Sequence, residues 1–155
     1  MSATDCIQYR IGENIIESLK LIKTAGGYKY NVLDANISFA RAMTEVQVRP
    51  SIRVQILESI PNGEYDRVMD EWYYFMIAFY NNHTDENPII YNDNKNVVAD
   101  IIKALKVDDT RGDLATTTEK QDSGHDMDPD IVCPYTYVVI RCQALVNANN
   151  QYSLA

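Results

Sequence analysis

Two hydrophobic spacings alternate along this chain. Between Ser2 and Thr24, residues Ile7, Ile11, Ile15, Leu19 and Ile22 recur at three- and four-residue steps, and Ile16 broadens the stripe. That period predicts an amphipathic helix, with Ser2 and Asp5 as a capping pair and Gly26-Gly27 as a left-handed stop. The spacing then drops to two. Tyr28, Tyr30 and Val32 alternate with Lys29 and Asn31, and Ile52, Val54 and Ile56 alternate with Arg53 and Gln55. Each reads as a strand with one wet face, and Glu45 to Arg49 reads as a third short one. Pro61-Asn62-Gly63 signals a turn that closes a hairpin onto the next segment.

That segment, Arg67 to Tyr80, reads RVMDEWYYFMIAFY. At period two, one face carries Val68, Trp72, Tyr74, Met76, Ala78 and Tyr80, and the other carries Met69, Tyr73, Phe75, Ile77 and Phe79. Aromatic and β-branched residues without Gly or Pro favour a strand, and beyond Glu71 neither face is polar. Asn81 to Pro88 is a polar loop. A second helix, capped by Asn92 or Asp93, runs to about Lys106 and buries Val97, Val98, Ile101, Ile102 and Leu105. Ala115 to Asp122 reads as a strand and Ser123 to Asp130 as an acidic loop. Ile131 to Val146 is a second long strand, apolar on both faces through Val138 and Ile140 against Tyr135, Tyr137 and Val139.

This order of elements predicts a single α+β domain over residues 1–155. Its sheet is mixed and mostly antiparallel, contains a long β-hairpin and carries two helices on one face. Loops at 34–49 and 122–130 and the tail 147–155 are expected to be flexible. Two helices cover one face of a sheet and hardly both. The pattern leaves open which face of the long strands meets the helices. The second face is covered either by the 34–49 segment folding back or, the stronger reading, by another copy of the chain.

The net charge of −8 sharpens this picture because it is unevenly placed. Residues 1–57 carry seven basic and five acidic side chains, whereas residues 58–130 carry six basic and seventeen acidic ones. So acidic a middle repels phosphates and excludes groove-reading of nucleic acid; beside DNA it acts as a non-stick wall. No signal-peptide pattern, membrane span or lipid anchor is legible. The sequons at Asn36 and Asn82 and the Arg111-Gly112-Asp113 tripeptide are therefore read as coincidences. Three cysteines, with Cys133 and Cys142 on opposite faces of one strand, read as reduced thiols of a cytosol-like compartment.

Candidate chemistry is sparse. His83 and His125 each sit in an acidic polar stretch without a nucleophile elbow or a Cys-His signature, and they read as solvated loop residues. Asp122, His125, Asp126, Asp128 and Asp130 offer oxygen ligands for a hard cation, but not in the twelve-residue EF-hand pattern. A solvated acidic loop is the reading taken, with no metal and no cofactor. Gly26-Gly27 has no preceding strand and no GK[ST], so it is no phosphate cradle. Neither Glu45 with Glu58 nor Asp70 with Glu71 has a spacing that singles it out as an acid/base pair, so no enzyme activity is expected.

Several stretches together resemble a known family. They are the opening helix ending IKTAGGY (Ile22 to Tyr28), the strand SIRVQILE after Arg49-Pro50, and the long strand Met69 to Tyr80. The helix VVADIIKALKVDDTRGDLA (Val97 to Ala115) and a closing strand after an acidic stretch complete the pattern. Over nearly its whole length the chain resembles the tail terminator, or tail completion, proteins of long-tailed bacteriophages, the lambda U-type minor tail proteins. It departs where the family often reads Thr-Leu-Gly-Gly-Leu, since Thr110-Arg111-Gly112-Asp113-Leu114 stands here. The resemblance implies a homo-oligomer, a hexameric ring that caps the tail tube and stops its polymerisation. It also implies a docking surface for head-completion and neck proteins, and DNA passing through the lumen without specific binding. The expected location is the tail or neck of a virion assembled in the host cytoplasm, without membrane contact. On that reading Trp72, Tyr74, Met76, Tyr80, Tyr135 and Tyr137 lie at the subunit interface. Asp122, His125, Asp126, Asp128 and Asp130 then face the lumen or an axial partner. The competing classes are a head-tail connector or stopper, a small α+β enzyme or ligand-binding module, and an adaptor that binds an unrelated partner through its sheet.

Overall fold

The computed structural model describes residues 5–40, 50–80, 90–128 and 133–155. Helix α1 (Ile7–Leu19) leads through two short 3-10 turns to strand β1 (Ile37–Phe39). Strands β2 (Ser51–Tyr65) and β3 (Val68–Tyr80) form the long hairpin, followed by helix α2 (Ile90–Lys106). Strands β4 (Thr117–Asp128), β5 (Cys133–Asn147) and β6 (Asn150–Leu154) complete the fold. The sheet has six strands in the order β1-β2-β3-β5-β4, with β6 paired to β5. Only β1 and β2 run parallel; the other pairs are antiparallel. The predicted α+β class, mixed sheet, long hairpin and one-sided helices are all present.

The helices meet the odd-numbered face of β3. Tyr73, Phe75, Ile77 and Phe79 join Val138, Ile140, Cys142, Ala144 and Val146 of β5 in one core with Ile7, Ile11, Ile15 and Leu19 of α1 and Val97, Ile101 and Leu105 of α2. Helix α1 presses closely on the sheet at Gly12, where an added Cβ would stand 2.8 Å from the Phe39 ring and 3.4 Å from that of Phe75. Burial of two apolar stripes against one sheet face is the main source of stability.

Several local expectations are corrected. The hairpin turns at Asp66-Arg67, both at positive φ (48° and 68°), and not at Pro61-Asn62-Gly63. Those residues lie within β2, opposite Glu71 and Asp70, across a register shift. Proline is tolerated there because β1 pairs only with Ile52 to Val54, so β2 has no described partner on that side at Pro61. The segment from Tyr28 to Leu33 is not a strand. Its backbone is claimed elsewhere: the N–H groups of Lys29 and Tyr30 donate to the buried Asp100 carboxylate of α2 at 3.2 and 2.9 Å, and that of Val32 donates to Ile22 O at 3.1 Å.

Helix α1 is shorter than its stripe. Cys6 precedes it without a side-chain cap, so Asp5 does not cap it, and Ser2 lies outside the described residues. Gly27, at φ +85°, ends the 3-10 turn Thr24–Gly26 and not α1 itself. Helix α2 is already under way at Asn92 and Asp93. Of the expected flexible segments, 122–128 belongs to β4 and 150–154 forms β6. Within 34–49, a 3-10 turn over Asp34–Asn36 is followed by β1. The expected strand Glu45 to Arg49 lies outside the described residues.

The α2–β4 connection is built around Arg111, which is fully buried. Its guanidinium donates to Ser18 Oγ of α1 at 2.9 Å and to the Leu105 carbonyl near the end of α2, where a cation suits the helix dipole. Burial holds its pKa below the ordinary arginine value. Arg111, Gly112 and Asp113 all adopt positive φ, at 53°, 65° and 64°. Asp108 closes this turn by accepting from Gly112 N at 2.7 Å.

Candidate interaction face

The even-numbered face of β3 contributes nothing to the core cluster. Strand alternation and the β3–β5 register place all six residues named as an interface on it: Trp72, Tyr74, Met76 and Tyr80 on β3, and Tyr135 and Tyr137 on β5. Each is half-buried by its neighbours in the plane of the sheet. Tyr135 faces Tyr80 with ring centroids 5.4 Å apart and lies 6.4 Å from Tyr137. Ala78, opposite Tyr137, is only 3% exposed. Tyr137 leans across the next strand: a Cβ on Gly124 would stand 2.7 Å from its hydroxyl oxygen. A glycine facing an aromatic ring in this way lets the ring cover a strand that has no side chain to pack.

The other end of the face is polar and tied together. Arg141 stacks over the Trp72 ring at 3.8 Å and donates through Nε and Nη2 to Glu119 Oε2 at 3.0 and 2.8 Å. Its hydrogen bond to Tyr74 and then those to Glu119 hold its pKa above the ordinary value. Gln143 Nε2 donates to both oxygens of Asp70 at 2.9 Å, and Asn62 Nδ2 donates to Asp70 Oδ2 at 2.9 Å. Ile60, 41% exposed and opposite Trp72, extends the apolar surface along β2. Sequence reasoning missed it because the turn expected at Pro61 hid the continuing strand.

The acidic set is divided rather than gathered in a loop. Asp122 and Asp126 stand opposite Val139 and Tyr135, on the same sheet face as the aromatic residues, and Asp128 pairs with Cys133 in the strand register. His125 stands opposite Thr136 on the helix side. Asp130 and His83 lie outside the described residues, as does the 41–49 part of the 34–49 segment named as an alternative cover. Among the described residues, no three His, Cys, Asp or Glu side chains converge as metal ligands.

The helix side holds several buried titratable groups. Glu71 is 5% exposed, its Oε2 has no hydrogen-bond partner, and burial followed by the charge of Asp70 raises its pKa. Tyr73 beside it is pushed up to about 12, by burial first and then by the charges of Glu71 and Cys6. Cys142, buried in the core, is pushed up to about 11, whereas Cys6 is exposed; neither forms a disulfide.

Among the described residues, no helix is long and apolar enough to cross a membrane. No protein-family model matches the chain, and comparison with the curated proteins likewise gives no match.

Proposed function

We propose that the chain is a structural subunit of a bacteriophage virion, a ring-forming tail terminator that caps the tail tube and offers a docking surface to the neck. The observation that carries this reading is the aromatic sheet face. Trp72, Tyr74, Met76, Tyr80, Tyr135 and Tyr137 lie together on the side that adds nothing to the core, with Arg141 among them. Aromatic residues, Met and Arg are the types enriched where protein surfaces meet, and a closed ring buries such a face once per copy. The turn after α2 gives further support. The family's Gly-Gly pair falls on Gly112 and Asp113, and both residues hold the left-handed conformation that glycine favours. The acidic middle of the chain suits a lumen through which DNA slides without being held. The reading assigns the protein no catalytic role and places it in the tail or neck.

The test is the mass of the purified protein by light scattering after size-exclusion chromatography, with and without tail-tube protein. A stable ring of about six copies is expected. A monodisperse monomer at high concentration, unchanged by tail tube, overturns the proposal.

A further inference from the structure

Between the first half of α2 and β4 lies a cleft of about 480 Å³ whose polar lining is Asn94, Lys95, Lys120, Ser123, His125 and Thr136. Among the described residues that line it, none is acidic. In a chain of net charge −8 that concentration of cations needs a cause. Three other basic side chains between residues 58 and 130 are engaged elsewhere in the fold. Arg111 is buried in the turn after α2, Lys103 donates to Gly27 O while lying over the Tyr28 ring, and Lys106 pairs with Asp109. Lys95 and Lys120 stand on opposite walls of this one cleft, together with one of the chain's two histidines.

A strand irregularity sorts the charges. The β4–β5 register slips between Lys120 and Asp122, leaving Gln121 as an extra residue. Lys120 faces the helix side, opposite Ile140; after the slip it is Ser123 and His125, not Asp122 and Gly124, that face that side. Were Gln121 paired in register instead of bulged, strict alternation would turn the carboxylate of Asp122 into the cleft and Ser123 and His125 out of it. Bulges re-aim side chains in this way, commonly beside functional sites. The cleft also holds unused donors. Lys120 Nζ makes no hydrogen bond or ion pair among the described residues. Asn94 Nδ2 is buried without an acceptor, while its Oδ1 takes the Thr136 hydroxyl.

We infer that this cleft is an oxyanion site that takes the phosphate group of a small ligand. The ammonium groups of Lys95 and Lys120 supply charge-assisted hydrogen bonds, and Ser123 and His125 complete the lining. The proposal stands apart from the ring reading, since the cleft and the aromatic residues lie on opposite sides of the sheet.

Isothermal titration calorimetry with inorganic phosphate, against sodium chloride at matched ionic strength, tests it. Saturable binding of phosphate alone is expected. Lys120→Gln weakens it by about tenfold or more, equal to about 1.4 kcal/mol. Lys20→Gln, which removes an ammonium paired with Glu17 on α1, leaves it unchanged. Ser123→Asp, checked for native circular dichroism, abolishes it. Chloride binding as well as phosphate, an absence of saturable heat, or Lys120→Gln binding as tightly as wild type overturns the assignment.

Discussion

Trp72→Asp separates folding from assembly. Trp72 is half-buried on the face that adds nothing to the core, with Arg141 stacked over its ring. The substitution removes an aromatic residue from a strand, dissolves that stacking and sets a second carboxylate near Asp70 on the same face. At a half-buried sheet position such a change costs about 1–2 kcal/mol. A domain has roughly 5–15 kcal/mol of stability in hand, so the variant stays folded. At a subunit contact the same carboxylate is desolvated, and the nearest cation, Arg141, is already held by Glu119. An unpaired buried charge costs about 3–5 kcal/mol, which weakens each contact more than about a hundredfold. Far-UV circular dichroism and urea unfolding report the first quantity, and light scattering reports the second. Trp72→Phe, which keeps an aromatic ring, retains both. A Trp72→Asp protein that no longer folds would mean that its own core needs this residue. One that assembles like wild type would remove the face from the contact. Either result refutes the reasoning.

Other consequences follow from the helix side. Glu71→Leu stabilises the protein by about 1–3 kcal/mol at neutral pH, because it removes a buried carboxylate with an unpaired oxygen. Since the folded pKa is raised above the ordinary 4.5, the stability linked to protonated Glu71 is complete below that value and is lost as pH rises through the folded pKa. The gain therefore shrinks in urea titrations run at progressively lower pH, and a gain independent of pH would contradict this account. Phe75→Ala, at a fully buried position, costs about 3–5 kcal/mol in the same assay. Cys142 resists alkylation in the native state, while Cys6 reacts, as peptide mapping by mass spectrometry will show. Asp126→Ala, at an exposed strand-edge carboxylate, changes stability by less than about 0.5 kcal/mol.

What was legible in the sequence was whatever hydrophobic period alone determines. The stripe Ile7, Ile11, Ile15 and Leu19 and the two-sided apolar run Trp72 to Tyr80 identified a helix, a strand apolar on both faces and a face left over. Features set by long-range contacts were not legible. Tyr28 to Leu33 has a strand's alternation, yet Asp100, about seventy residues later, takes its backbone donors. Pro61-Asn62-Gly63 has a turn's composition, but a proline on a strand with no described partner on one side needs no turn, and Asp66-Arg67 adopts the left-handed conformations instead. Arg111 reads as the first residue of a chance tripeptide and proves to be the buried tie between α1 and α2. The stretch Asp122 to Asp128 reads as a loop because it is acidic. As a strand it keeps its charges in water by lying at the sheet margin.

Closing a ring requires two different sides on one subunit, since a head-to-tail contact sets one side against the opposite side of the next copy. The aromatic face has that asymmetry. Toward β2, Arg53 stands opposite Ala78 and makes no ion pair among the described residues. Toward β4, Asp122 and Asp126 lie along the outermost strand, with Glu119 holding Arg141. Charge of opposite sign at the two margins selects an orientation, and the aromatic area between them supplies the burial that holds it. The same acidic margin discourages indiscriminate strand addition to β4. Its position depends on the bulge at Gln121: because that residue is left out of the pairing, Asp122 and Asp126 fall on the aromatic face and Ser123 and His125 turn toward α2. The proposed contact and the proposed oxyanion cleft therefore draw their opposite charges from a single irregularity in one strand.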